Sequence, residues 1–503
     1  MNLQKRLISV LLILAMFLAV FYTGNQVKEQ KKQDIFDTTK TVHIWYADEA
    51  LTDYLSSMAV KFNEEYGIRV IPVLQSGLEF LEKINAASLS DEATPDLFIA
   101  SNDNMEKAYL AGLATEITNP DRIVSLDTFP ESAIHAVTYQ QKLLGYPLYY
   151  ETSALLYNMT YLEDLAKEEI RLELEEAHQA VSQDQEAALG EDDEEETAEG
   201  TESTESTEEN ALISEEELTT LARERVPSMI PTTFDELLAF ADSYDAPENV
   251  EAVFKWDVSD IFFNYFFVGN YMDVGGINGD NEDSINIYNI DAIMALQAYQ
   301  DLGEYFAIEA DEVAYETVIQ DFMEGKVVMT TATTDVVNRL ETAKKDGEFV
   351  YDYGIAPIPD LNEEMTTKSL SVTGTIFVNG YSPLREEANE FAAFLIRDHA
   401  GELYEMSGKV TANKHIVHEN YNTSAFMLEY EDSVSMPKMM STSNFWLEME
   451  IVFDRIWNGA QVSDELKAFS EKLRSQISGQ PYEETYIEVE EETKEYYEYE
   501  DEG

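Results

Sequence analysis

Glu151 stands as the one carboxylate in GYPLYYETSALLYN (145–158), between aromatic side chains and an apolar run. A carboxylate in such surroundings accepts hydrogen bonds through two oxygens, which suits a vicinal diol of an uncharged ligand. Asp103, in SNDN, comes just past the apolar run DLFIA. It therefore falls at the carboxyl end of a strand, where open α/β sheets gather their ligands. Asp48 and Glu49 follow another such strand, VHIWYA, and Asp48 is equally the residue type that caps a following helix. Trp446, in SNFWLEM, offers a broad apolar face and a polar N–H edge. It has two readings, a platform beneath a ligand ring or a core tryptophan. Trp256 and Phe262 lie in FKWDVSDIFFNYFF, where most rings must be core; Tyr150 adds a ring beside Glu151, and Trp45 reads as packing.

Catalytic patterns are missing. The six histidines are scattered, there is no cysteine, and neither G-x-S-x-G nor H-E-x-x-H occurs. His415, His418 and Glu419 lack a clear set of metal ligands around them, and the acidic run Asp280–Asp283 has Ile285 where a calcium loop needs glycine. No catalytic residue, metal or cofactor is implied, so binding without catalysis is the expectation. A formal charge of −68 argues against nucleic acid as a partner, because phosphate contact needs clustered Lys and Arg. Without cysteine there are no disulfides, and stability must come from cores of ample size.

The elements that position these residues follow from periodicity. DYLSSMAVKFNEEYG places Leu55, Met58, Ala59 and Phe62 at helical spacing and stops at Gly67. IRVIPVL, LEFLEKINAASL and DLFIAS continue the alternation of strand, helix and strand, which implies an α/β lobe with a largely parallel sheet. Between Glu163 and Arg225 there are 24 acidic residues against four basic ones. That stretch reads as an insertion in a surface loop, with helical flanks and a tip at 190–210 too polar to pack. Lys5 and Arg6 precede an apolar run from Leu7 to Tyr22, a secretory or signal-anchor pattern. No small-x-small cleavage site ends the run, so an uncleaved anchor over residues 1–24 is expected, followed by a linker at 25–40.

The stretch 145–162 resembles the inter-lobe crossover of extracellular solute-binding proteins of the maltose/maltooligosaccharide-binding type. Further blocks follow in that family's order: IWYADEALTDYLSSMAVKFNEEYGIRV (44–70), TPDLFIASNDNMEKAYLAGLATEIT (94–118), DFMEGKVVMTT (321–331), YGIAPIP (353–359) and MPKMMSTSNFWLEM (436–449). The resemblance implies an α/β, two-lobed periplasmic-binding-protein-like fold of type II, with discontinuous lobes joined by a hinge. Lobe 1 would comprise 41–149 and 352–420, lobe 2 150–351 and 421–480, and 481–503 an acidic, tyrosine-rich tail.

By the same resemblance Glu151, Asp103, Asp48 and Glu49 would meet ligand hydroxyls, and Trp446 would be an aromatic platform. Tyr150, Trp256 and Phe262 are weaker ring candidates. Two departures stand out: Asn104 occupies the place of an arginine, and Asp335 that of a platform aromatic. The implied function is capture of a carbohydrate, maltose- or maltooligosaccharide-like, for permease subunits of an ABC importer. The protein would be a monomer tethered on the outer face of a bacterial membrane, with secretion after cleavage as the alternative. Without a cysteine it cannot be lipidated as many family members are. The rival reading keeps the fold as an anchored sensor or scaffold with a degenerate cleft.

Overall fold

The computed structural model describes residues 40–90, 94–189, 213–418 and 420–489. The apolar N-terminal run, Glu419, the tip of the acidic insertion and the last part of the tail lie outside the described residues.

Strand β1 (Thr41–Tyr46) buries every second residue, Val42, Ile44 and Tyr46. Helix α1 (Thr52–Tyr66) closes over that face with Leu55, Met58, Ala59 and Phe62, the four positions that helical spacing predicts, together with Tyr54. It ends where Gly67 turns left-handed at φ 70° and its N–H caps Asn63 O. Strand β2 (Arg69–Leu74), helix α2 (Phe80–Ser88) and strand β3 (Leu97–Ser101) complete a parallel unit in which β1 lies between β2 and β3.

After helix α3 (Glu131–Val137) comes the 14-residue strand β4 (Gly145–Asn158), about 46 Å long at ordinary strand rise. Helices α4 (Met159–Leu189) and α5 (Glu215–Arg225) follow, the helical flanks of the insertion. They share a small core of Ala166, Ile170, Leu218 and Ala222. Arg225 grips Glu173 with both guanidinium nitrogens, at 2.9 and 2.8 Å. Helix α6 (Phe234–Ser243) starts at Thr233, whose hydroxyl accepts from Glu236 N at 3.1 Å.

Strand β5 (Ala252–Phe254), helix α7 (Ile290–Phe306), helix α8 (Tyr315–Met323), strand β6 (Val327–Thr333) and strand β7 (Tyr353–Ala356) build the middle of the chain. Then come strand β8 (Leu370–Val378), helix α9 (Arg385–Arg397), helix α10 (Glu402–Ser407), helix α11 (Asn422–Glu431), strand β9 (Val434–Ser435), and helices α12 (Phe445–Trp457) and α13 (Val462–Ser478).

The nine strands form one mixed sheet in the order β2-β1-β3-β8-β4-β6-β5, with β7 also paired to β4 and β9 to β8. Strand β4 spans it from core to core. Its first half runs antiparallel to β8, from Phe377 opposite Gly145 to Ser371 opposite Thr152. Its second half pairs with β6 and β7. One large core holds β1 to β3, α1, α9 and the start of β4; a second holds α6, α7, α12, α13 and the end of β4. Ala425, Phe426 and Tyr430 of α11 belong to the first core, as do Ile319 and Phe322 of α8. The α11 residues pack there because α11 lies on α3, β4 and β7.

Candidate ligand-binding cleft

Side chains alternate along a strand, and that alternation decides which residues of β4 share the face of Glu151. Tyr149 and Glu151 point one way and are partly exposed; Tyr150 and Thr152 point the other way and are buried. Tyr150 stacks on Tyr430 with centroids 4.0 Å apart and planes 5° from parallel. It is therefore a core ring, and the ring beside Glu151 that looks outward is Tyr149. Gly374 of β8 makes room for it, since a Cβ there would sit 2.3 Å from the Tyr149 ring.

Over Tyr149 lies Lys409, its Nζ 5.2 Å from the ring centroid. The same ammonium donates to Glu151 Oε1 at 2.7 Å and lies 2.9 Å from Asp48 Oδ2. Burial works against this charge, but Glu151, Tyr149 and Asp48 outweigh it and hold the ammonium above its ordinary value. Asp48 also caps the turn after β1, where its Oδ1 accepts from Ala50 N at 3.0 Å. Glu49 is exposed in that turn.

At the carboxyl end of β3, Asp103 is tied into a small network. Ser101 Oγ and Asn104 Nδ2 both donate to Asp103 Oδ1, and Asn104 reaches Ser101 Oγ at 3.0 Å. Asp48, Ser101, Asn104 and Tyr149 line one cavity of about 400 Å³, with Phe80 and Lys107 at its sides. The fold thus gathers Asp48, Glu151 and the Asp103 loop around the ends of β1, β3 and the middle of β4. Trp45 packs against the first core, as expected of a strand residue.

The remaining candidates sit on the second core. Trp446, in the first turn of α12, is partly buried, and its ring centroid lies 6.2 Å from that of Phe262 at a 60° tilt. Asp260 accepts from Phe262 N at 2.8 Å and caps the short turn that carries that ring. Burial and the neighbouring Asp257 raise the Asp260 carboxyl. Burial, Asp260 and Asp257 do the same to Glu450, one helical turn beyond Trp446. Trp256 is fully buried, donates to Asn264 Oδ1 at 2.9 Å and meets Trp457 edge-on at 5.3 Å. It is a core tryptophan with no face left for a ligand, since the apolar rings of the second core surround it.

Residues 57–192 and residues 205–402 each match a family described as bacterial extracellular solute-binding protein, and the two stretches take in more than half of the chain. The chain belongs to the bacterial extracellular solute-binding proteins. Within that family it is similar to a maltodextrin-binding protein of Bacillus subtilis, 23% identical over 455 residues, which cover 88% of this chain and 91% of that one. A solved extracellular solute-binding protein from Staphylococcus aureus in complex with maltose superposes with a TM-score of 0.65 at 18% identity, covering 88% and 98% of the two chains. The maltose-binding protein of Listeria monocytogenes, also solved with maltose, gives 0.61 at 18%, covering 89% and 100%. The solute-binding protein therefore has the two-lobed α/β fold that its sequence blocks imply.

Four residues of this solute-binding protein escaped sequence reasoning. Tyr149 was within reach of the period of two counted from Glu151. Asp260 and Glu450 carry no signal among a hundred acids. Lys409 stands 258 residues from Glu151, and no spacing rule links them. Among the described residues no group of three His, Cys, Asp or Glu could hold a metal ion.

Proposed function

We propose that this chain captures a neutral, maltooligosaccharide-like carbohydrate and presents it to the permease of an ABC importer, without transforming it. The cluster of Glu151, Asp48 and Lys409 over Tyr149, of which Asp48 and Tyr149 also line a cavity of about 400 Å³, carries the reading. It combines hydrogen-bond acceptors and a donor, which the hydroxyls of a polyol require. Trp446 and Phe262, with Asp260 and Glu450 beside them, are the proposed face of the second lobe. The maltodextrin-binding relative and the maltose complexes support the ligand class. Ligand contacts from both lobes would stabilise a closed state, which the permease reads.

Calorimetric titration of the purified chain against maltooligosaccharides, other oligosaccharides and monosaccharides tests this. Saturable binding of a linear glucose oligomer is expected; a panel without any binder overturns the assignment. We also propose that the chain acts as a monomer held at the outer membrane face by its apolar N-terminal run. Recovery of the native protein in alkali-washed membranes is the expected result, and recovery in the medium the opposing one.

A further inference from the structure

We propose that Lys409 is a ligand-contacting residue that selects for a carbohydrate oxygen at one position of the bound sugar; the assignment rests on the carbohydrate reading above. A carboxylate only accepts, whereas a sugar hydroxyl both donates and accepts, so two acids alone leave the hydroxyl's own lone pairs unmet. Lys409 supplies what they lack. An ammonium has three N–H donors, and two of them engage Glu151 and Asp48. The third is available to a ligand oxygen lying beside the two acids. Glu151 Oε1, Lys409 Nζ and Asp48 Oδ2 then form an acceptor, donor, acceptor row.

The row is built, not incidental. Lys409 follows Gly408, left-handed at φ 71°, which ends α10. Its N–H donates to Ser407 Oγ at 3.2 Å. The segment is then pinned along β4, where Tyr150 N donates to Val410 O at 3.2 Å and Ala412 N to Leu148 O at 3.1 Å. The Lys409 side chain is 19% exposed, against 37% for Glu151 and 34% for Asp48, so it lies deeper than either acid without being fully enclosed. The family pattern that this chain resembles has a cation beside Asp103, where Asn104 stands here. The cation that reaches the acids comes instead from an element remote in sequence.

The test is a cycle between protein and sugar. The full chain, Lys409→Met and Lys409→Arg are titrated with maltotriose and with a set of its monodeoxy analogues. In the wild type, removal of one particular hydroxyl should weaken binding roughly 10–100-fold, the range for a hydrogen bond to a charged group. In Lys409→Met, maltotriose itself should weaken by a similar factor, and the penalty at that one position should vanish while those at the others persist. Lys409→Arg should recover part of it. Should the methionine variant not fold, Lys409→Gln replaces it with the same expectations. Uniform weakening with every deoxy penalty intact, or unchanged affinity, overturns the assignment and leaves Lys409 a structural counter-ion. A wild type that binds none of the sugars overturns the carbohydrate reading, and this assignment with it.

Discussion

Glu151 spends one carboxylate oxygen on Lys409, and Oε2 accepts no hydrogen bond among the described residues. Replacing it with alanine therefore removes a ligand acceptor and leaves the half-buried ammonium with Asp48 as its remaining acid. Glu151→Ala should weaken sugar binding by about 1–3 kcal/mol, the range for a charge-assisted hydrogen bond, with folding intact. Unchanged affinity in a calorimetric titration would remove Glu151 from the site. Trp446 poses the opposite question, because its ring is partly buried against the second core yet sits beside Phe262. If its face carries a sugar, Trp446→Ala costs affinity with little loss of stability, and ligand perturbs the wild-type indole fluorescence. If it is core, denaturation shows a loss of about 3–5 kcal/mol, and the variant that folds binds normally. The first outcome is expected from its exposed side.

Strands β4 and β8 make the site possible through one close approach. Tyr149 packs against the backbone at Gly374, next to a register shift in β8 between Gly374 and Thr375. A methyl group at 374 would have to displace the ring, because 2.3 Å is well inside van der Waals contact. Gly374→Ala should therefore lower stability by about 1–3 kcal/mol, as overpacking does, and also weaken ligand binding, since the ring supports Lys409. A variant with wild-type denaturation midpoint and affinity would show that the ring relocates freely. The exposed pairing of Arg225 with Glu173 across the insertion helices is a contrasting case: water screens it, and it adds little to stability.

Beyond β4, the two halves of the molecule also meet at Lys438, which is 1% exposed. Its Nζ donates to His135 O of α3 at 2.6 Å and to Asn278 O of the other half. Nearby, Gln140 N donates to Asp280 Oδ2 at 2.6 Å, and Met440 N to Glu106 Oε2. Burial pushes Lys438 from its ordinary 10.5 down to about 7, partly offset by Asp280. Between those values the unfolded chain holds a proton that the folded one does not, so stability rises with pH across that window. Below about 7 both states are protonated and this contribution is flat. Denaturation measured from pH 7.5 to 9.5, below the tyrosine range, should show a rise approaching about 1.4 kcal/mol per pH unit that Lys438→Met abolishes. The same slope in the variant would assign it to other groups.

Local rules reached far into this protein. The apolar face of α1 and its glycine stop were legible because helix period and left-handed glycine are properties of a short segment. The α/β alternation and the helical flanks of the insertion were legible for the same reason, whereas the unbroken strand through Gly145, Pro147 and Glu151 was not. The side of β4 on which each ring falls was also implicit, and Tyr149 follows from Glu151 once the period of two is applied. What tertiary structure alone decided is whether a given aromatic or acid is buried. Trp256 and Trp446 are the same residue type in similar apolar contexts, yet one is enclosed by the second core and the other keeps part of its face outside it. Lys409 is the clearest instance: its meeting with Asp48 and Glu151 depends on the chain returning beside β4 after 258 residues, a contact set by packing of the whole fold.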